Sequence, residues 1–172
     1  MPRRLDIYLK CYTSEAVSPR YTIIACMRRC SMDEGTDRHT DEQIKAIYHL
    51  KNIAIVGMSK NQEKPSHYVP RYLIEHGYTV IPVNPSASTI LERRSFQKVS
   101  DIEDKVDVVD VFRKSEDVYL VVQDVIRKVG IRVIWLQEGI HNTKAEKLAL
   151  ENGIDVVYNR CMMAEHMRLF PQ

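Results

Sequence analysis

Five short runs of apolar, mostly branched residues govern what this chain can fold into: Ile53 to Val56, Thr79 to Val83, Val106 to Phe112, Ile131 to Leu136 and Ile154 to Val157. They show little polar alternation, so both faces of each run suit burial. Helical text lies between them. Residues 66–76 place Val69, Tyr72 and Leu73 on one face, and Gly77 sits where a left-handed cap belongs. Further helices are expected from Ser115 to Val129, stopped by Gly130, and from Asn142 to Asn152, stopped by Gly153. A last helix follows Arg160-Cys161 and ends near Leu169. Ahead of the first run, Thr40 and Gln43 form a capping box for a helix reaching about Leu50. Ser100 to Glu103 reads as a second capping box, and Ser95-Phe96 as a short extra strand. Strands alternating with helices predict an α/β fold: a doubly wound, mainly parallel sheet with helices on both faces.

The 172 residues suffice for one domain with a real core. Residues 1–39 show no period and read as an irregular N-terminal arm, with Met32 a plausible alternative start; residues 40–172 form the expected domain. A net charge of +2 and the lack of a basic stripe argue against nucleic acid as a partner. No apolar run approaches the ~20 residues of a membrane span, so a cytoplasmic protein is expected. Cys26 and Cys30 lie four apart with Cys11 upstream, but a closed zinc site wants four ligands. Free thiols in a reducing compartment, and no metal, are the expectation.

A doubly wound sheet binds its ligand at the carboxyl ends of its strands. After the first run comes Gly57-Met58-Ser59, then Lys60, Lys64 and Pro65. Gly57 permits a sharp turn, Ser59 offers a hydroxyl, the lysines offer charge, and Pro65 suits a first helical turn whose free N–H groups face an anion. A phosphate or pyrophosphate fits such a turn; a plain strand-to-helix connection is the alternative. Only one of the three glycines of a dinucleotide fingerprint is present. The second run ends in Val83-Asn84-Pro85, with no acid for the ribose of NAD, and Arg93 and Arg94 come late for NADP. Phe112 and Arg113 follow the central run, with Phe112 equally suited to the core and Ser115 a candidate cap for the next helix. Trp135 is expected in the core, with Gln137, Gly139 and Ile140 beyond it. No catalytic set stands out. His76 suits a structural place at a helix end. Cys161 sits at a helix start that favours a thiolate, without an assigned base.

IAIVGMS, YLIEHGYTVIPVNPS, VDVVDVFRKSEDV, WLQEGI and NRCMMAEHMRL, in this order, together resemble the CoA-binding domain family over about residues 41–170. The likeness is to its small stand-alone members and to the corresponding domain of the succinyl-CoA synthetase alpha subunit. The resemblance implies a Rossmann-like fold that holds coenzyme A. Gly57, Met58 and Ser59 would approach its pyrophosphate, with Lys64 as charge partner. Val83, Asn84, Pro85, Phe112 and Arg113 would border the adenosine. Gln137, Gly139 and Ile140 would line the pantetheine, and Arg160 is carried over beside them. The family usually has a glycine after its VNP motif, where this chain reads ASTILERRSF. A non-catalytic carrier, sensor or regulatory module for CoA or acyl-CoA is therefore expected, with a protein partner or homo-oligomer possible. The alternative is a small enzyme, either an NAD(P)-dependent oxidoreductase or a CoA-dependent acyl transferase.

Overall fold

The structure is a computed structural model that describes residues 37–171. Residues 1–36 of the expected arm over 1–39, including the alternative start and Cys11, Cys26 and Cys30, lie outside the described residues.

Helix α1 (Asp41–Tyr48) opens on the expected capping box. The Thr40 amide donates to Gln43 Oε1 at 2.7 Å, and the Gln43 amide donates to Thr40 Oγ1 at 3.3 Å. Then follow β1 (Asn52–Val56), α2 (Pro65–Glu75), β2 (Thr79–Val83), a hairpin of β3 (Thr89–Ile90) and β4 (Arg93–Arg94), and β5 (Val108–Val111). After them come α3 (Val118–Val125), β6 (Val133–Leu136), α4 (Thr143–Glu151), β7 (Asp155–Val157) and α5 (Met162–Leu169). The five long strands form one parallel sheet in the order β2-β1-β5-β6-β7. Phe96 lengthens the β2 edge: its amide donates to Pro82 O at 3.0 Å and its carbonyl accepts from the Asn84 amide at 2.9 Å. The winding therefore reverses between β1 and β5, as in a Rossmann-like fold.

The unbroken apolar runs now have a cause. Alternate residues of each strand face opposite cores. Ile53, Ile55, Val108, Val133 and Trp135 meet α1, α2 and α5 through Ile44, Tyr48, Val69, Leu73 and Met162. Ala54, Val56, Val109, Val111, Ile134 and Leu136 meet α3 and α4 through Val118, Val122, Val125, Ala145 and Ala149. Each fully buried Val, Ile or Leu stabilises the fold by about 1.5–3 kcal/mol.

Two expected caps are not formed. The turn at Val99–Asp101 begins before Ser100, and the Ser100 hydroxyl donates to Asp124 Oδ1 at 2.6 Å. A carboxylate is a stronger partner than a helix amide. Ser115 Oγ instead accepts from the His141 amide at 3.2 Å, tying the loop after β5 to the loop after β6. The helix expected from Ser115 to Val129 is correspondingly shorter. The hairpin between β2 and the edge was not foreseen, and it matters below.

Candidate functional site

The carboxyl ends of β1 and β5 meet at the reversal point. Gly57 has φ +86° and its amide donates to Val83 O at 2.9 Å, while the Phe112 amide donates to Val56 O at 2.8 Å. A Cβ on Gly57 would stand 2.7 Å from Phe112 O. The space that glycine leaves is thus filled by the neighbouring strand end. The glycine brings the two strand ends together, and Met58 and Ser59 form the loop beyond them.

That loop is braced from several sides. Met58 is fully buried, and its carbonyl accepts from Asn84 Nδ2 at 2.8 Å. Asn84 Oδ1 accepts from the Ser86 amide at 2.8 Å, closing the turn around the exposed Pro85. The Ser59 amide donates to Ser66 O at 3.1 Å. Ser66 O is available because Pro70, four residues on, has no N–H to give it. His67 Nδ1 lies 2.8 Å from Ser59 O, and Ser59 Oγ accepts from the Asn61 amide at 3.1 Å. Lys64 precedes α2, with Pro65 in the first helical turn and no side-chain cap. Helices α1 and α4, by contrast, are capped by Thr40 and Asn142. At the start of α2 the His67 and Tyr68 amides donate to Lys64 O at 2.8 and 3.1 Å, so the Ser66 amide and the exposed Lys64 are what the uncapped turn offers an anion.

Beyond β5 the cations are engaged. Arg113 is exposed and pairs with Asp117 at 3.1 Å. Phe112 is half-buried and packs toward the α2 side. Gln137 is buried between two partners: its Nε2 donates to Asp110 Oδ1 at 2.8 Å, and its Oε1 accepts from the Met162 amide at 3.3 Å. Asp110 is fully buried, its Oδ2 has no hydrogen-bond partner, and burial pushes its pKa up to about 7 against the pull of Gln137. Gly139, at φ +77°, donates its amide to Asn159 Oδ1 at 2.8 Å, and a Cβ there would meet open space. Ile140 is half-buried against the α3 and α4 core.

Arg160 is held away from the β1 loop. Its guanidinium pairs with Asp37 and with Glu165 and donates to His39 O, while its carbonyl accepts from Trp135 Nε1 at 2.7 Å. His39 bridges Asp37 and Asp155; burial lowers its pKa, but the hydrogen bonds and charges of those carboxylates outweigh burial and raise it to about 9. The segment Asp37–Thr40 is thereby strapped to the end of β7.

The structure thus brings Gly57, Met58, Ser59, Val83, Asn84 and Phe112 together, with Lys64 and Arg113 exposed beside them. Gln137, Gly139 and Ile140 stand on the next strand end. Asn159 was not among the expected site residues; with φ +54° and its Oδ1 accepting from the Gly139 amide, it closes the far turn. Sequence reasoning also missed a groove beside β2 of about 340 Å³, walled by Val56, Val83, Lys98, Leu120, Gln123 and Arg127. Pro70 was a readable signal for the first loop; nothing local marks the groove. Among the described residues no cluster of His, Cys, Asp or Glu suits a metal ion, and no helix is long and apolar enough to cross a membrane.

A family model described as CoA binding domain matches residues 51–167. The Bacillus subtilis (strain 168) protein YneT, itself uncharacterized, is 32% identical over 125 residues, covering 72% of this chain and 92% of YneT. A hypothetical protein from Pyrococcus horikoshii OT3 of known structure is 42% identical with a TM-score of 0.75, covering 80% of this chain and 99% of that one. An ADP-forming acetate–CoA ligase II of Archaeoglobus fulgidus is 31% identical over 72 residues, 41% of this chain but only 11% of the ligase. The braced loop at the winding reversal, the neutral VNP turn beside it and these likenesses agree: the chain belongs to the CoA-binding domain family.

Proposed function

We propose that the protein binds coenzyme A or an acyl-CoA across the carboxyl rim of its sheet and acts as a carrier, sensor or regulatory module rather than as an enzyme. The observation that carries this reading is the pairing of the family match with the loop after β1. There an uncapped helix start and Lys64 suit a pyrophosphate, while the adjoining β2 end is neutral. An acid is what a NAD ribose would want at that end. Histidines near the rim have structural partners: His67 with Ser59 O, His141 with Glu146, and His166 with the Tyr72 hydroxyl.

Calorimetric titration with CoA, acetyl-CoA and NAD tests the proposal. CoA and acetyl-CoA are expected to bind, NAD more weakly, and acetyl-CoA to remain intact on incubation. Binding of NAD without binding of CoA would reject the reading. The half-buried Cys161 at the start of α5 favours a second reading, acyl transfer through its sulfur. Turnover of acetyl-CoA that is lost in Cys161→Ser would establish that reading instead.

A further inference from the structure

Cations on the two sides of the sheet differ in their partners. On the side of β5 to β7, Arg113 pairs with Asp117, Lys114 with Glu116, and Arg160 with Asp37 and Glu165. On the side of β2, Arg94, Lys98 and Arg127 have no acidic partner among the described residues. The arrangement follows from the return to the centre of the sheet. The hairpin packs on the α2 side through Ile90 and Leu91, as a right-handed crossing requires. The return from Phe96 to β5 crosses the α3 side as the single turn Val99–Asp101, so no helix covers β2 beside α3.

The resulting groove of about 340 Å³ is within the size range of small-ligand sites. Its walls include Val56, Val83 and Leu120, the last left 67% exposed, which offer an apolar surface to a flat ring. Gln123, with both donor and acceptor atoms, can read a purine edge. Lys98 stands on the wall of the edge segment and Arg127 on the α3 wall. Arg94 and Phe96 occupy alternate positions of the edge segment and so share a face, and the chain bends at Gln97 and Lys98 before the turn at Val99. The Arg94 guanidinium lies 4.9 Å from the Phe96 ring centroid, and Phe96 packs on the α3 side of the sheet. The one carboxylate on the walls, Asp124, already accepts from the Val99 and Ser100 amides and the Ser100 hydroxyl.

We infer that this groove takes the phosphorylated ribose of an adenosine cofactor, with Lys98 and Arg127 closing on the phosphate from opposite walls and Arg94 supporting them from its seat on Phe96. The inference rests on the reading of the chain as a CoA binder, where the group is the 3′-phosphate. NADP carries the same group on the 2′ oxygen. It makes these residues the determinants that separate CoA from cofactors with a bare adenosine ribose.

Titration of the whole chain with CoA and 3′-dephospho-CoA, and with NADP and NAD, tests it. Charge-assisted contacts predict that CoA binds about 10–100 times more tightly than its dephospho form. In Lys98→Ala/Arg127→Ala that ratio is expected to fall below about threefold, and in Lys98→Arg to survive. Both residues are exposed, so the substitutions should leave the fold intact, which circular dichroism checks. Equal affinity for CoA and dephospho-CoA in the unaltered protein, or a ratio that persists in the double variant, would overturn the inference while leaving CoA binding in place. A preference for NADP over NAD without CoA binding would support the groove and reject the CoA reading. Binding of none of the four would reject both.

Discussion

Gly57, after β1, and Gly139, after β6, both take a left-handed backbone, yet their surroundings differ. At Gly57 an added Cβ would press on the Phe112 carbonyl at 2.7 Å; at Gly139 it would enter open space. The first glycine is required twice, by conformation and by the approach of two strand ends. The second is required by conformation alone. The near side of the rim is therefore packed backbone against backbone. The far side is tied by side chains, Asn159 to Gly139 and Gln137 to Asp110 and Met162.

The largest expected effect separates these two glycines. A left-handed non-glycine residue costs about 1–2 kcal/mol, and overpacking adds about 1–3 kcal/mol. Gly57→Val should therefore destabilise the protein by roughly 2–5 kcal/mol, and Gly139→Ala by only about 1 kcal/mol. Urea unfolding of both variants measures the gap. Equal losses would mean that the contact with Phe112 yields without cost, and that Gly57 matters for its φ alone. Loss of CoA binding in Gly57→Val is not by itself a map of the ligand, because the strand end moves as well.

The far side can be tested through Asp110. Its folded pKa, near 7, lies above the ordinary 3.8, so the folded state holds the proton more tightly than the unfolded chain. The stability this confers is complete below about pH 4 and is lost as pH rises through 7. His39, raised to about 9, adds a similar loss between about pH 6.5 and 9, so the window from 4 to 6.5 isolates Asp110. Asp110→Asn should flatten the unfolding free energy across that window. At pH 8 it should be more stable than the unaltered protein by roughly 2–3 kcal/mol, against a ceiling of ~4 kcal/mol for three pKa units. Unfolding midpoints of both proteins at about pH 4.5 and 6.5 give the slope, and at about pH 8 the gap between them; an unchanged slope in the variant would show that Asp110 is not the titrating group.

Much of the fold was legible because burial on both faces leaves a plain mark, the unbroken runs such as Ile53 to Val56. The capping box at Thr40 and the cap at Asn142 were legible for a similar reason, since the partner lies three residues away. Ser100 and Ser115 misled because a hydroxyl takes the best acceptor or donor in space, Asp124 or the His141 amide, whatever its place in the chain. Distant partners were not legible: the Asn84 side chain donates to Met58 O, 26 positions earlier, and Arg160 pairs with Asp37, 123 positions earlier, and no local pattern announces either. The groove was invisible for a different reason. It exists because the return from the sheet edge to β5 is the single turn Val99–Asp101 in place of a helix. The hairpin on the other face was hidden because its turn lacks its usual sequence signal.

The hairpin turn supplies the smallest and most local test. Leu91 and Glu92 connect β3 to β4 with φ of +49° and +60°, the pattern of a two-residue turn that normally calls for Asn-Gly. Unlike Gly57 and Gly139, neither position carries glycine, so the backbone holds a left-handed conformation against its side chains. Leu91 is half-buried and packs on the α2 side, whereas Glu92 is exposed. Glu92→Gly should relieve about 1–2 kcal/mol of strain and give back roughly 0.5–1 kcal/mol as added freedom of the unfolded chain. The net gain is then on the order of 0.5–1 kcal/mol, a rise in Tm of about 2 °C, read by thermal unfolding. Because the hairpin sets Arg94 beside Phe96, the same variant should keep its preference for CoA over dephospho-CoA. A fall in Tm would mean that Leu91 and Glu92 hold the turn through their side chains. The three turns would then differ in kind, and not only in how closely each is packed.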